Sequence, residues 1–391
     1  MANKTDTVKG FQDFIGEDAL KRKKILEIIE NEYRKYGYLP AETPLIEYED
    51  FVIGDNKTDE AVRDIFRLKD RGKRDLALRY EFTFQLKRIA KKQKLPFKRY
   101  QIGYVFRDEP IRKGRLRQFI QCDADILGSN LKDEAECLKM ATNVFEKLDM
   151  PITIYINNRK LINEILVEEK VPEKVREEVI REIDKLDKLK PSEVAANLAK
   201  IGEERILEIF MKEEEYFEKY SFYKEIKQLK EYCKLYNVNV VFRPFLARGL
   251  AYYNGTVFEI WSDKLNVALC GGGSYLINDV QATGISLGLE PIFLLAKVKT
   301  EGPALLIVSL GQDKKVISLA ENLRKKNLRV QILLDKSLGK AMEYANSKGI
   351  KKVLIIGKEE VKPKAVLKIK NMKTGKTITV TIKDLAKKVR R

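Results

Sequence analysis

The sequence contains no histidine and only four cysteines among its 391 residues. The cysteines stand singly, with no C-x-x-C pair, at Cys122, Cys137, Cys233 and Cys270. Without imidazoles or paired thiols, the chain lacks the usual ligands of a structural zinc site and the base of a Ser-His or Cys-His nucleophile. These absences argue against zinc-stabilised folds and triad hydrolases. We expect four reduced, mostly buried thiols.

Long apolar runs are also missing. No run of about 18 apolar residues is present to span a bilayer, and the N-terminal residues 1–6 have neither the basic start nor the apolar stretch of a signal peptide. We therefore expect a cytoplasmic protein with no membrane contact. With 44% hydrophobic and 34% charged residues, the chain is long enough for two or three domains, each with its own core.

Positive charge is concentrated at one end of the chain. The formal net charge is +18, and residues 301–391 alone contain 23 Lys and Arg against 8 Asp and Glu. A basic surface attracts polyanions because binding releases condensed counterions, so nucleic acid is the expected partner. A membrane surface is a poorer candidate because no amphipathic anchor accompanies the charge. A uniformly lysine-rich composition is the alternative, and the near-neutral first 300 residues count against it.

Periodicity divides the chain into regions of different character. A helix is predicted over 17–37, followed by strands and turns over 62–128 in which strands 99–106 and 119–126 form an antiparallel hairpin. Long charged helices, Lys174–Lys188, Glu193–Ala199 and Glu203–Lys234, indicate a helical insertion. Strands then return and lead through the glycine triplet 271–273 to a helix-forming stretch near 284–297. Beyond a linker at 299–303, alternating strands and helices predict a parallel α/β sheet.

The most informative segment is 104–121. It places five cations within eleven residues and adds an acid and an aromatic ring: Arg107, Arg112, Lys113, Arg115 and Arg117 with Glu109 and Phe119. Arginines anchored on strands can hold a phosphate chain while a ring stacks on a base. The alternative is a solvated basic hairpin, and the segment alone does not decide between them.

Three further segments are individually ambiguous. Residues 248–256 set an arginine and two tyrosines on a loop ahead of a strand. The triplet in 271–275 lets the backbone approach a ligand closely, although most glycine triplets are turns. Residues 284–290 alternate small and apolar residues in a pattern that suits a packed entry from strand to helix.

Together and in this order, the four segments resemble the class II aminoacyl-tRNA synthetase core, specifically the histidyl-tRNA synthetase family. Residues 43–45 resemble motif 1, 106–121 resemble motif 2 and 284–290 resemble motif 3, while 248–253 and 271–275 resemble the two histidine-specific segments. The C-terminal unit resembles the class IIa anticodon-binding domain. The resemblance covers nearly the whole chain.

This resemblance implies an α/β protein whose α+β catalytic core is an antiparallel sheet flanked by helices. The expected domains are the first part of the catalytic core at 1–160, a helical insertion at 161–236, the second part of the core at 237–300 and the anticodon-binding domain at 301–391. The implied activity is that of a histidine–tRNA ligase, which activates L-histidine with ATP and Mg²⁺ and transfers it to tRNA-His. A homodimer through the region near Pro44 is also implied.

The resemblance further implies residue roles, carried over by position. ATP contacts are expected from Arg107, Glu109, Arg115, Phe119 and Glu290, with Glu290 also the Mg²⁺ ligand. Histidine contacts are expected from Glu81, Thr83, Gln121, Asp125, Arg248, Tyr252, Tyr253 and Tyr275. Arg107 and Arg248 are the expected catalytic residues, at the α-phosphate and the reacting carboxylate. Contacts to tRNA are expected from Arg112, Lys113, Lys351, Lys352 and Lys358.

The sequence departs from the family pattern at supporting positions. Motif 3 normally ends in Glu-Arg, but here Glu290 is followed by Pro291, which removes one γ-phosphate cation. Ser274 stands where the family has arginine. Two hypotheses follow: an active ligase that replaces the lost contact, or a non-catalytic relative such as a histidine-sensing regulatory subunit of ATP phosphoribosyltransferase or a binder of uncharged tRNA. The basic C-terminal domain favours the ligase.

Overall fold

The computed structural model describes residues 5–54, 60–248, 252–362 and 365–390. Residues 249–251 of the first histidine-specific segment therefore lie outside the described residues. The chain folds into two compact units: one comprises residues up to Asp13 together with Arg22–Val298, and the other comprises Phe14–Lys21 and Lys299–Arg391. Among the described residues, no helix has the length and apolar character needed to cross a membrane.

Up to Val298 the structure alternates short helices with the strands of two sheets. The helices are α1 Gly16–Lys35, α2 Glu49–Ile53, α3 Glu60–Arg63, α4 Thr83–Ile89, α5 Leu131–Lys147, α6 Arg159–Glu168, α7 Glu173–Ile183, α8 Pro191–Ile201, α9 Ile206–Phe210, α10 Tyr223–Leu235 and α11 Leu289–Leu295. The strands are β1 Leu39–Pro40, β2 Ile46–Tyr48, β3 Arg67–Lys69, β4 Asp75–Leu78, β5 Phe97–Phe106, β6 Gln118–Leu127, β7 Thr153–Asn158, β8 Val241–Phe242, β9 Tyr253–Ser262, β10 Leu265–Ile277 and β11 Val280–Gly288.

An eight-stranded sheet organises this unit, in the order β1-β5-β6-β11-β10-β9-β7-β8. Its inner strands pair antiparallel, and only the edge strands β1 and β8 pair parallel. The predicted hairpin is confirmed, because β5 and β6 pair antiparallel along their whole length. A separate three-stranded sheet has the order β2-β4-β3. The expected antiparallel core flanked by helices is therefore present.

Alternation along β6 gives the large sheet two different faces. Its even-numbered residues are apolar and join the main core with residues of α1, α5 and α6: Ile120, Cys122, Ala124 and Ile126. Its odd-numbered residues point to the opposite face and are mostly polar: Phe119, Gln121, Asp123 and Asp125. One face thus packs the helices, and the other is left for ligand chemistry. All four cysteines are buried and unpaired, as predicted.

Two predicted elements were wrong in detail. The single helix expected over Glu203–Lys234 is broken into α9, a 3₁₀ turn at Glu214–Lys219 and α10. The breaks let Phe217 and Tyr223 pack edge-on against Phe242, with ring centroids 5.3 and 5.7 Å apart, which one continuous helix would not present together. The helix expected near 284–297 is preceded by β11, and only Leu289–Leu295 is helical.

The glycine triplet, which the sequence alone left ambiguous, lies inside strand β10. A Cβ on Gly271 would lie 1.5 Å from a nitrogen of Arg248, and one on Gly272 would lie 2.1 Å from the Gly284 carbonyl oxygen. Real Cβ atoms do not approach other atoms so closely. The glycines therefore make room for a cation on one face and a close neighbouring strand.

The C-terminal unit contains a five-stranded sheet. Its strands and helices are β12 Leu305–Ser309, α12 Asp313–Arg324, β13 Val330–Leu333, α13 Leu338–Ser347, β14 Lys352–Ile356, β15 Leu367–Asn371, β16 Thr377–Val380 and α14 Leu385–Arg390. The order is β13-β12-β14-β15-β16, with the first three strands parallel, as predicted, and the last two antiparallel. Apolar residues on both faces of β12 are fully buried, which is typical of a parallel strand covered on two sides.

Candidate active site

The polar face of the large sheet brings most of the predicted site residues together. In register, Asp125 lies between Arg99 of β5 and Gly284 of β11, and two residues along, Asp123 lies between Gln101 and Ser286. On the far side of β11, Tyr275 of β10 faces Tyr253 of β9. The glycines of β10 and β11 contribute no side chains to this face, so the larger side chains beside them project above the strands.

Asp125 forms the deepest part of the site. It is 2% exposed, and its Oδ1 accepts a hydrogen bond from the Tyr275 hydroxyl. Its Oδ2 lies 2.8 Å from Nη2 of Arg99, whose side chain is only 1% exposed. Burial raises the pKa of Asp125, while the Arg99 charge opposes that rise. A buried carboxylate held in this way is suited to accept N–H groups from a ligand.

Three tyrosines close one side of this pocket. The ring centroid of Tyr252 lies 4.8 Å from that of Tyr253 and 5.4 Å from that of Tyr275. The side chain of Thr83, the first residue of α4, is hydrogen-bonded to Tyr252. Burial, and then the charge of nearby Glu81, raise the pKa of Tyr252, so its phenol stays neutral at physiological pH and can donate or accept. The predicted histidine ligands Thr83, Tyr252, Tyr253 and Tyr275 are thus neighbours.

Gln121 is oriented by a relay that the sequence did not predict. Its Nε2 donates to Oγ of Ser286 at 2.8 Å, and that hydroxyl donates to Oδ1 of Asp123 at 2.5 Å. Burial, and then the charge of Asp125, raise the pKa of Asp123 to about 7. Within the described ranges, Oε1 of Gln121 is buried and has no hydrogen-bond partner. The relay therefore leaves an acceptor facing away from Ser286.

Arg248 enters the same face from a strained loop. Its φ of 60° is in the left-handed region, and Oδ1 of Asp184 accepts from the backbone N–H groups of Ala247 and Arg248 at 2.8 and 2.9 Å. Its Nη1 donates to Oε1 of Glu259 at 2.9 Å, and the other oxygen of that carboxylate accepts from Trp261. The acceptor network holds a non-glycine residue in a conformation that it rarely adopts.

The predicted nucleotide residues lie at the other end of β5 and β6. The guanidinium carbon of Arg107 lies 5.4 Å from the ring centroid of Phe119, and its Nε donates to the Tyr80 carbonyl oxygen at 3.1 Å. Arg115 and Glu109 are paired, with Nε 3.4 Å from Oε1. No ion pair in the described part of the chain neutralises Arg107. A half-buried, unpaired arginine beside an aromatic ring can bind a phosphate next to a stacked base.

The basic turn between these strands carries the predicted tRNA residues Arg112 and Lys113. Both are exposed, and reciprocal backbone hydrogen bonds of 3.2 and 2.9 Å join Arg112 to Arg115. A Cβ on Gly114 would lie 3.5 Å from the backbone of Pro291. Pro291 therefore packs against this turn at the position where the family pattern has arginine.

Glu290 lies in a less open environment than its predicted role requires. It is 5% exposed, one carboxylate oxygen accepts from Arg22 at 2.8 Å, and the other accepts from the Ile120 backbone N–H at 3.1 Å. A Mg²⁺ ion bound to this carboxylate would lie beside the positive charge of Arg22, which opposes it. The magnesium role of Glu290 stays a prediction, and the geometry gives it no support. In the described ranges, no group of three or more His, Cys, Asp or Glu side chains is placed to hold a metal ion.

The remaining predicted residues lie outside this face. Pro44 is exposed, its carbonyl oxygen accepts from Gln85 at 3.0 Å, and the neighbouring Ile46 is 48% exposed. In the C-terminal unit, Lys351 and Lys358 are exposed. The ammonium of Lys352 instead donates to the carbonyl oxygens near the end of α14, those of Lys388 and Val389, at 3.0 and 2.8 Å. This contact stabilises a helix C-terminus. It engages the ammonium group of a lysine that was predicted to contact tRNA.

Sequence reasoning missed four residues of this face: Arg99, Asp123, Glu259 and Ser286. A period-two reading of β6 would have found Asp123, because it lies between Gln121 and Asp125 on the same face. Arg99 needed the strand register, which the sequence did not fix.

Comparison with known proteins shows which family the chain belongs to. A sequence model described as histidyl-tRNA synthetase matches residues 10–292. The chain belongs to the histidyl-tRNA synthetase family. A model described as an anticodon binding domain matches residues 304–391. The histidine–tRNA ligase 1 of Bacillus thuringiensis subsp. konkukian (strain 97-27) is 35% identical, with 97% of this chain and 98% of that protein covered.

Solved structures of family members share the fold. The histidyl-tRNA synthetase from Nostoc sp. PCC 7120 superimposes with a TM-score of 0.85 at 26% identity and covers all of both chains. A protein from Bacillus halodurans C, described as an ATP phosphoribosyltransferase regulatory subunit/histidyl-tRNA synthetase, reaches a TM-score of 0.75 at 19% identity over 88% of this chain and 97% of its own. At that identity the second comparison speaks only for the fold.

Proposed function

We propose that this member of the histidyl-tRNA synthetase family is an active, cytoplasmic histidine–tRNA ligase that uses ATP to join L-histidine to tRNA-His. The observation that carries the proposal is the buried acceptor Oε1 of Gln121, which lies on the same sheet face as Asp125 and has no partner within the described ranges. An α-ammonium group satisfies that acceptor, and the N–H groups of an imidazole satisfy Asp125. A ligand that fulfils both demands is histidine.

Burial of these acceptors supplies discrimination. A near-isostere without imidazole N–H groups leaves the remaining acceptor capacity of Asp125 buried and unfilled, and sites built to bind polar groups reject such analogues strongly. The amino-acid carboxylate is then directed towards Arg248, whose guanidinium lies against the Gly271 backbone. No protein nucleophile is required.

The first step joins histidine to the α-phosphate of ATP. A carboxylate oxygen of histidine attacks the α-phosphorus, the bond to the bridging oxygen breaks, and pyrophosphate leaves with its electron pair. Arg107 and Arg248 provide positive charge where negative charge builds up, and alignment supplies much of the rate. In the second step, a hydroxyl of the 3′-terminal adenosine of tRNA attacks the activated carbonyl and AMP leaves.

Mg²⁺ is expected to accompany ATP, because it binds mainly through substrate phosphates and water, with one or two carboxylates. Glu290 does not fit as the protein ligand, since it is buried and its carboxylate is already neutralised by the Arg22 guanidinium. No step of the mechanism above depends on a metal held by this residue.

The tRNA is proposed to be bound by the anticodon-binding domain, where positive charge is concentrated, and by the Arg112–Arg115 turn. Lys351 and Lys358 are the proposed phosphate contacts in the C-terminal unit, because both are exposed. A homodimer is proposed through the exposed apolar region around Pro44 and Ile46.

The second candidate is a non-catalytic histidine sensor. It is favoured by one feature, the replacement of the motif 3 arginine by Pro291. The unpaired Arg107 and the anticodon-binding domain are both unnecessary for a sensor, so the ligase is the better proposal. Charging of tRNA-His with radiolabelled histidine by the purified protein tests it. Histidine binding without charging at any Mg²⁺ concentration would support the sensor instead.

A further inference from the structure

Arg99 is a buried cation that the proposed mechanism leaves without a role. Its side chain is 1% exposed, and it is among the largest fully buried side chains of the protein. It lies on β5 directly opposite Asp125 on β6, with Nη2 2.8 Å from Oδ2 of that carboxylate. Its neighbour two residues along the strand, Gln101, is also buried but uncharged.

The surroundings of Arg99 indicate that the cation serves Asp125. Besides its ion pair with the Asp125 carboxylate, Nη2 of Arg99 donates a hydrogen bond to the Phe82 carbonyl oxygen at 3.4 Å. In the described part of the chain, Nε and Nη1 have no hydrogen-bond partner. Burial of an arginine with unsatisfied donors is unfavourable, and an apolar residue of similar volume is often tolerated as well or better. Stability alone therefore does not account for this residue.

The other groups described here bring no positive charge to Asp125. Tyr275 of β10 donates to Oδ1 as a neutral phenol, which favours the ionised form through a hydrogen bond alone, and Asp123 of β6 adds a like charge that acts on the same region. From the helix-covered face, the phenols of Tyr33 and Tyr38 are close enough to feel the Asp125 charge, and neither is a cation. The positive charge that favours the ionised form of Asp125 comes from Arg99.

We propose that Arg99 is a positioning residue for amino-acid recognition, which holds Asp125 as an ionised and oriented carboxylate that accepts an imidazole N–H. The two contacts with Arg99 and Tyr275 use part of the carboxylate's four lone-pair sites, so each oxygen retains capacity for the ligand. This inference rests on the proposed function, because Asp125 is the imidazole acceptor there.

A pH signature follows from this role. The α-ammonium group of histidine titrates towards pH 9 in the same way for every variant, so the informative quantity is the ratio of variant to wild-type histidine affinity at each pH. Without Arg99, burial and the Asp123 charge raise the pKa of Asp125 further. Histidine affinity then falls by up to about tenfold for each unit of pH below that pKa. We expect Arg99→Gln to bind histidine at least about tenfold more weakly than wild type at pH 7, with the difference narrowing towards pH 9.

The test is isothermal titration calorimetry of L-histidine with the full-length protein between pH 6.5 and 9, for wild type, Arg99→Gln and Arg99→Lys. The lysine variant retains the charge, so its histidine affinity should follow that of wild type across this range. Arg159→Gln is the matched control, because Arg159 is also buried, at 5% exposure, but pairs with Glu177 at 2.7 Å in the helical region. Its histidine affinity should not change.

A double-mutant cycle covers the case in which Arg99→Gln does not fold. Removal of both charges in Arg99→Gln/Asp125→Asn relieves the uncompensated buried charge. This double variant should bind histidine as weakly as Asp125→Asn alone at every pH, because Arg99 acts only through Asp125. Binding weaker than that of Asp125→Asn would overturn the proposal.

Two further results would overturn it: Arg99→Gln with wild-type affinity at pH 7, or with reduced affinity that does not recover towards that of wild type at pH 9. The latter would make Arg99 a packing residue only. Failure of the wild-type protein to bind histidine would overturn the proposed function and this inference together, so the two failures are distinguishable.

Discussion

Glu134 provides a quantitative test of the electrostatics beneath the sheet. It lies on α5, is 5% exposed, and its carboxyl is hydrogen-bonded to the hydroxyls of Thr256 and Ser274. Its Oε2 has no hydrogen-bond partner among the described residues. Burial raises the pKa of Glu134 to about 7, and the charge of Glu225 adds to the rise. The two hydroxyls and the charge of Lys160 oppose it. Serine stands at position 274 where the family pattern has a cation.

The magnitude follows from linkage between protonation and folding. The pKa of Glu134 rises from its ordinary value of 4.5 to about 7 in the folded protein. Between these values the folded state keeps a proton that the unfolded state releases, so the free energy of unfolding falls as the pH rises. Below pH 4.5 the effect is absent, and above pH 7 it is complete. The difference of about 2.5 between the two pKa values corresponds to about 3 kcal/mol in the free energy of unfolding.

Glu134→Gln keeps the volume and removes the titration. We expect the variant to exceed wild type in free energy of unfolding by about 3 kcal/mol at pH 8 and by less than about 1 kcal/mol at pH 5. Urea denaturation followed by circular dichroism at the two pH values measures both differences. Glu146→Gln is the matched control, because Glu146 is exposed on the same helix. Equal differences at pH 5 and pH 8 would refute the assigned titration.

Three predictions concern the site and the tRNA contacts. Arg248→Ala should reduce histidine-dependent pyrophosphate–ATP exchange by about 10²-fold or more, because it removes a donor to the transition state. Its tRNA affinity in filter binding should stay within about twofold of wild type. Intact exchange would remove Arg248 from the chemistry. Ser286→Ala breaks the relay to Gln121 and should raise the KM for histidine by about tenfold, the equivalent of one buried hydrogen bond, with the KM for ATP unchanged; equal increases in both would indicate a general loss of structure. Lys351→Ala/Lys358→Ala should lower the slope of log affinity against log salt for tRNA-His by about 1 to 2, and an unchanged slope would mean that these lysines do not contact phosphate.

The hairpin of β5 and β6 could be predicted because its signals are local. The apolar and polar alternation of β6 and the basic loop after β5 are both visible in the sequence, and the hairpin followed from them. Strand β10 was not recognised along its length, because three consecutive glycines normally weaken a strand. The reason for the triplet is tertiary: Gly271 makes room for Arg248, and Gly272 lies against the neighbouring strand.

The site shows the same division between local and tertiary information. Arg107, Phe119 and Tyr275 were predicted as site residues because they stand in segments that resemble a known family, and Asp125 was predicted because it closely follows one of them. Arg99 belongs to no such motif, and only the register that sets it opposite Asp125 reveals its role. Pairs of this kind depend on sheet alignment, which a single sequence specifies only indirectly.

The most direct test of the central claim is histidine-dependent pyrophosphate–ATP exchange by the purified protein, measured with and without L-histidine over a range of Mg²⁺ concentrations. An active ligase gives exchange that depends on histidine and saturates with it, even with Pro291 at the motif 3 position. Saturable histidine binding with no exchange at any Mg²⁺ concentration would contradict the account and identify the protein as a binder of histidine that does not activate it.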